Sequence, residues 1–141
     1  MRKTQVFAYL FSTSSRHYKR AVNQELQKLD LTISQCGVIR ALLHAGELTQ
    51  AEIADIFSSD RATIGSVIEK LKEKEFLEKK VSSKDRRAYV IRLTPKAREL
   101  ADEIERISDG LAEKALSGLS DEEKLIFIKG LNTIIQNLSE G

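Results

Sequence analysis

The stretch DRATIGSVIEKLKEKEFLEKKVSSKDRRAYVIRLTP, Asp60 to Pro95, changes its period halfway along. Its first part repeats apolar residues at three- and four-residue steps, Ile64, Val67, Ile68 and Leu71, which predicts a helix with one buried face. Asp60 stands where it can cap that helix. Its second part switches to β-prone runs, FLEKKV and YVIRL, on either side of a cationic tip where Lys84, Arg86 and Arg87 surround Asp85. Two such runs this close together predict an antiparallel hairpin. Thr94 and Pro95 then restart a helix, an N-cap followed by proline at the first helical position.

Working backwards, TQAEIADIF pairs Thr49 with Glu52 as a capping box, in which each side chain satisfies the other's free backbone N–H. It opens a short helix expected to turn Ile53, Ala54 and Phe57 inward. Two short capped helices joined by a tight turn describe a helix-turn-helix. Upstream, Thr32 and Gln35 form a second box. The helix they open carries Ile39, Leu42 and Leu43 and should stop near Gly46. Before it, Leu10, Phe11, Tyr18, Ala21, Val22, Leu26 and Leu29 keep helical spacing. Forwards, Leu100, Ile104, Ile107, Leu111 and Ala115 mark a long helix. Ser120 and Glu123 cap a last one with Leu125, Ile128, Asn132, Ile135 and Leu138.

The expected fold is therefore mainly α with a small β-hairpin wing, a winged helix-turn-helix set between long terminal helices. The terminal helices are apolar over more than one face, as LIFIKGLNTII near the C-terminus illustrates. A small domain cannot cover helices on several sides by itself, so a homodimer is expected. The chain reads as one domain, 1–141, with dimerisation helices at 1–31 and 95–141 around a winged helix-turn-helix lobe at 32–94.

With 141 residues the chain holds one ordinary domain, and its 41% hydrophobic and 31% charged content is that of a folded soluble protein. No apolar run approaches the roughly 20 residues that span a bilayer. The start, MRKTQVFAYLFSTSSRHYKR, has a basic beginning and a short apolar patch, but Ser12 to Ser15 interrupt it and no cleavage site stands out. The cytoplasm is the expected compartment, and a single cysteine, Cys36, fits a reducing one.

Charge is unevenly spread. From Arg61 to Arg98 there are 12 Lys and Arg against 5 Asp and Glu, a net of +7, while the remaining residues carry −5. A basic block inside an acidic frame implies an anionic polymer as partner. In a winged helix-turn-helix the second helix of the motif fits the major groove of B-DNA, about 12 Å wide. The hairpin beside it reaches the minor groove, whose negative potential attracts a planar, weakly hydrated guanidinium.

In their order these residues resemble the MarR-type (multiple antibiotic resistance regulator) transcription factors over nearly the whole chain. The sharpest mark is Asp85-Arg86-Arg87 followed by alternating residues and LTPKA. DLT at Asp30 to Thr32, LTQAEIA at Leu48 to Ala54 and DRATIGSVIEKL at Asp60 to Leu71 also match. The resemblance implies an obligate dimer on a pseudo-palindromic operator in double-stranded DNA. It makes Arg87 the minor-groove arginine with Asp85 as its partner, Lys84 and Arg86 their neighbours in the wing, and Asp60, Arg61, Ala62, Thr63 and Ser66 the groove-facing residues. Two positions depart from it. Gly65 and Ser66 stand where many relatives have a polar residue and a cation, and Glu75 stands where a glycine often ends the recognition helix.

The resemblance also implies a small aromatic or anionic effector in a cleft between the dimer helices and the DNA-binding lobe. Candidate lining groups are Tyr9, Phe11, Arg16, His17, Tyr18 and Arg40. Cys36 reads as a small buried hydrophobe, because relatives that sense peroxide place their cysteine near the start of the first helix. His17 and His44 lack metal-ligand spacing, and no nucleophile–base grouping or phosphate loop occurs, so neither a cofactor nor an enzyme is expected. The expected function is sequence-specific transcriptional regulation, as a repressor released by a ligand. The rivals are a weakly specific architectural DNA-binding protein and a helical interaction module that ignores DNA.

Overall fold

The computed structural model describes residues 2–139. Chain order is α1 (Lys3–Gln27), α2 (Ile33–Ala45), β1 (Glu47–Leu48), α3 (Gln50–Ile56), α4 (Arg61–Glu73), β2 (Leu77–Val81), β3 (Tyr89–Leu93), α5 (Pro95–Ala115) and α6 (Asp121–Ser139). Helix starts are fixed by side chains that satisfy otherwise orphaned N–H groups. At α2 the Gln35 N–H donates to Thr32 Oγ1 and the Thr32 N–H to Gln35 Oε1, both at 3.1 Å. Thr49 with Glu52 opens α3, and Ser120 with Glu123 opens α6, in the same reciprocal way. Gly46 ends α2 at φ 85°, a conformation that disfavours any side chain.

The wing contains one strand more than the two expected. β1 is only two residues long, and its Glu47 and Leu48 pair with Arg92 and Ile91 to give a three-stranded antiparallel sheet in the order β1-β3-β2. So short a segment offers no alternation to detect, which is why periodicity missed it. In the hairpin itself Leu77 faces Leu93 and Val81 faces Tyr89.

The chain divides into two compact units, one up to Ser108 and one from Asp109. The first holds the core. Leu26 from the end of α1, Val38, Ile39 and Leu42 from α2, Ile53 from α3, and Ile64, Ile68 and Leu71 from α4 pack together. Leu77, Ile91 and Leu93 from the sheet and Ala97, Ala101 and Ile104 from α5 complete the cluster. Truncating a fully buried member such as Ile39 or Leu71 to alanine would cost about 2–5 kcal/mol through lost burial and the cavity left behind.

Phe57 departs from its expected inward position. It is 39% exposed, with its ring edge 3.0 Å from where a Cβ on Gly37 would stand. It therefore covers the surface of α2 instead of entering the core. The apolar series before α2 divides: Leu10, Phe11 and Tyr18 are exposed, Ala21, Val22 and Leu29 are partly buried, and Leu26 is its one buried member among the described residues. In the second unit no described residue of α6 is buried, and Leu125, Ile126, Ile135 and Leu138 are each more than half exposed. Among the described residues no helix is long and apolar enough to cross a membrane.

Candidate nucleic-acid interface

Two exposed elements of the first unit rest on this core. The first is the opening turn of α4. The Thr63 N–H donates to Asp60 Oδ1 at 2.7 Å and the Thr63 hydroxyl to Oδ2 at 3.1 Å. Those bonds, the backbone one foremost, hold the Asp60 carboxyl below its ordinary pKa, so the cap is ionised at neutral pH. Ile64, Ile68 and Leu71 point into the core, which leaves Arg61, Ala62, Thr63 and Ser66 on the outer face. Asp60 and Thr63 are thus engaged with each other, while Arg61 and Ser66 present open side chains.

Gly65, a departure from the family pattern, has a local reason. The Gln50 amide lies 3.0 Å from where its Cβ would be, and the same amide donates to the Arg61 carbonyl at 3.3 Å. The missing side chain lets the start of α3 lie close over the first turns of α4.

The second element is the wing tip, built on a serine that sequence reading passed over. Ser82 Oγ accepts the N–H of Lys84 at 3.2 Å and of Asp85 at 3.4 Å, while its own N–H donates to the Ala88 carbonyl at 2.9 Å. Asp85 Oδ1 accepts the Arg87 N–H at 3.0 Å. Serine and aspartate two or three residues before the groups they accept are the local turn formers that could have flagged Ser82. Asp85 holds Arg87 through the backbone and not through the guanidinium. Among the described residues Lys84, Arg86 and Arg87 form no ion pair, and all three are exposed. On the hairpin below, Lys79 lies 4.8 Å over the exposed Tyr89 ring, a cation–π contact that holds another cation on the wing.

The approach from α4 to the wing keeps the geometry glycine would give, on a residue that is not glycine. Glu75 sits at φ 64°. Its carbonyl accepts the Thr94 hydroxyl at 2.7 Å, and the Phe76 N–H donates back to the Leu71 carbonyl at 2.9 Å. The left-handed cap survives because the surrounding bonds over-determine it.

Of the candidate effector residues, five lie on α1 and Arg40 lies on α2. Arg40 is engaged with α5, its Nε 2.8 Å from Glu105 Oε1, where His44 Nε2 also lies at 3.6 Å. This bond is the main cause that raises the Arg40 pKa and lowers that of Glu105. Tyr18 of α1 is near enough to Arg40 to add to the rise in its pKa. Tyr9, Phe11, His17 and Tyr18 are exposed on α1, where Phe11 stacks on Phe7 with centroids 5.5 Å apart. Arg16 lines an open groove on α1 with Ser12, Ser15, Lys19, Arg20 and Asn23. Cys36 is buried, and that burial pushes its thiol pKa up, away from the reactive thiolate.

Comparison with known proteins agrees with this geometry. The model of the MarR family matches residues 29–88, the span from the α1–α2 turn to the wing tip. The chain is 30% identical over 117 residues to the HTH-type transcriptional regulator MhqR of Bacillus subtilis, covering 81% of each chain. It is 27% identical over 139 residues to the HTH-type transcriptional regulator BilQ of Clostridium symbiosum, covering 96% of this chain and 92% of that one. Among solved structures it superposes on MepR of S. aureus in complex with DNA with a TM-score of 0.82 at 26% identity, over 97% of this chain and 99% of that one. With its capped α4, its arginine-tipped wing and these relatives, the chain belongs to the MarR family of helix-turn-helix transcriptional regulators.

Proposed function

We propose that the chain binds a pseudo-palindromic operator as a homodimer and represses transcription by occupying it, with a small aromatic or anionic effector lowering its affinity. In this reading α4 enters the major groove with Arg61 and Ser66 foremost, and Asp60, Ala62 and Thr63 shape its first turn. The wing carries Arg87 into the minor groove, and Lys84 and Arg86 follow the flanking phosphates. Residues 1–31 and 95–141 supply the dimer contacts. The observation that carries the reading is the wing tip, where three exposed cations, without ion-pair partners among the described residues, stand on a turn that Ser82 and Asp85 build. A charged loop needed only for solubility would not require so specific a turn.

Sequence-specific recognition comes from base contacts and DNA shape, while phosphate contacts give affinity for any duplex. The test is anisotropy with an operator selected from random duplexes by the wild-type protein, in competition with scrambled duplex of equal length. A regulator favours its operator by roughly 10³-fold or more at physiological salt. Equal affinity for both duplexes would make the protein architectural, and no affinity for either would remove the reading.

A further inference from the structure

We propose that Lys74 is a positioning residue that sets the direction of α4 relative to the wing, so that operator discrimination depends on it without its contacting DNA. This rests on the proposed interface and deepens it. By composition Lys74 belongs with Lys70 and Lys72 to a solvated basic face, one of which could meet a phosphate. In the structure its ammonium is engaged elsewhere. It donates to the Asp30 carbonyl, and it lies 3.5 Å from both the Asp30 carboxylate and Gln35 Oε1. Lys72, by contrast, only meets Glu69 one turn away on its own helix.

The partners give the contact its consequence. Asp30 forms the α1–α2 turn at φ 56°, a left-handed conformation that fixes the direction of its carbonyl. Gln35 is buried and already accepts the Thr32 N–H in the α2 cap. On the other side of the same junction, Lys96 on α5 donates to the Lys74 carbonyl at 3.1 Å, and Thr94 donates to Glu75. The end of α4, whose carbonyls would otherwise lack partners, is therefore held from two sides, by the α1–α2 turn and by the start of α5. The wing leaves from this point.

A lever argument shows why that matters. Arg61 lies twelve residues before the end of α4 at Glu73, roughly 18 Å along the axis at 1.5 Å per residue. A pivot of about 3° at the junction moves the groove-facing turn by about 1 Å, which takes a hydrogen bond to a base edge out of range. Phosphate attraction tolerates the same shift, because it varies slowly with distance. Loss of the Lys74 contact therefore reduces discrimination more than general affinity.

The experiment compares Lys74→Met, which keeps the aliphatic stem, with Lys74→Arg and with Lys70→Met, which removes the same charge one turn earlier. Each is measured on the selected operator and on scrambled duplex at two salt concentrations, with the thermal midpoint recorded. Lys74→Met is expected to cut the operator-to-scrambled ratio by about tenfold, the scale of one lost hydrogen bond to a charged group. Lys74→Arg restores most of it, and Lys70→Met leaves the ratio alone. A parallel loss on both duplexes with a salt slope shallower by about one would make Lys74 an ordinary phosphate contact and overturn the proposal. Should Lys74→Met not fold, Lys96→Met at the exposed start of α5 decides, since an unchanged ratio there overturns the proposal too. If Arg61→Ala and Arg87→Ala leave operator binding intact, the interface beneath falls as well. If those weaken it while the Lys74→Met ratio is unchanged, only the positioning role falls.

Discussion

The carboxylate of Asp85 accepts the backbone N–H of Arg87 at 3.0 Å, and this bond orients the one arginine that the family pattern assigns to the minor groove. Asp85 is an anion amid cations, so simple electrostatics says that its removal should tighten binding to any duplex. The turn says otherwise. Asp85→Ala is expected to weaken operator binding while affinity for scrambled duplex holds or rises. Asp85→Asn keeps an oxygen for the Arg87 N–H and should retain operator binding with a gain on both duplexes. Titrations of both variants on both duplexes check this. Equal tightening by Asp85→Ala would reduce the wing to a charged loop.

Arg87→Ala should lower operator affinity by about 1–3 kcal/mol and make the log–log salt slope shallower by about one, the effect of one specific contact that also releases a counterion. Arg87→Lys should recover the slope without the full affinity, because an ammonium is more strongly hydrated and lacks the planar fork. Full recovery by lysine would show that charge alone matters at this position.

Much of the architecture could be read from residues with local effects. The boxes at Thr32, Thr49 and Ser120, the Asp60 cap and the Thr94-Pro95 restart act within one helical turn, and each lies where expected. What escaped reading depends on tertiary contact. β1 exists because Arg92 and Ile91 of β3 lie beside it, Phe57 stays outside because Gly37 offers its ring a seat, and Lys74 leaves the basic face because Asp30 and Gln35 come within reach. At the interface the charged residues were visible by type. Ser82 was not, since a serine in a polar loop looks the same whether or not it organises the turn.

Cys36 gives a negative prediction with a physical basis. Its thiol is buried, and desolvation raises its pKa, so little thiolate is available to peroxide. DNA binding by the wild type should therefore be unaffected by peroxide, and Cys36→Ala should respond no differently. Release of the wild type from DNA by peroxide, resisted by Cys36→Ala, would contradict the burial argument.

Acid should weaken the fold through Glu105 and the helix caps. The Arg40 hydrogen bond lowers the Glu105 pKa from its ordinary value, and the Thr49, Thr63 and Ser120 N–H groups do the same for Glu52, Asp60 and Glu123. A carboxyl with a depressed folded-state pKa contributes stability above its unfolded value and loses it as pH falls through the folded one. The thermal midpoint should thus be flat at neutral pH and fall below about pH 4, the ordinary carboxylate value. Glu105→Gln should flatten part of that fall and cost under about 1 kcal/mol at pH 7, since water screens this partly exposed pair. A midpoint that rises on acidification would refute the sign.

The last prediction concerns α6 and the partner chain. Leu125 and Leu138 are 72% and 80% exposed, and Ile126 and Ile135 are both above 60%, on a helix with no buried residue among those described. An isolated chain would present this apolar surface to water, at about 25 cal/mol per Å² of what a partner could cover. These four residues lie on more than one side of the helix, and a helix apolar on several sides is one that packs against other elements. The protein should therefore sediment as a dimer at micromolar concentration, with a thermal midpoint that rises with protein concentration, because association stabilises the folded state by mass action. Deleting the residues after Ser120 should cost solubility as well as DNA affinity. The double substitution Leu125→Glu with Leu138→Glu places carboxylates in any apolar contact that covers these positions, where desolvation is costly, and should shift the dimer towards monomer or unfolded chain. A soluble, cooperatively folding monomer of the wild type, with a midpoint independent of concentration, would show that α6 needs no second copy.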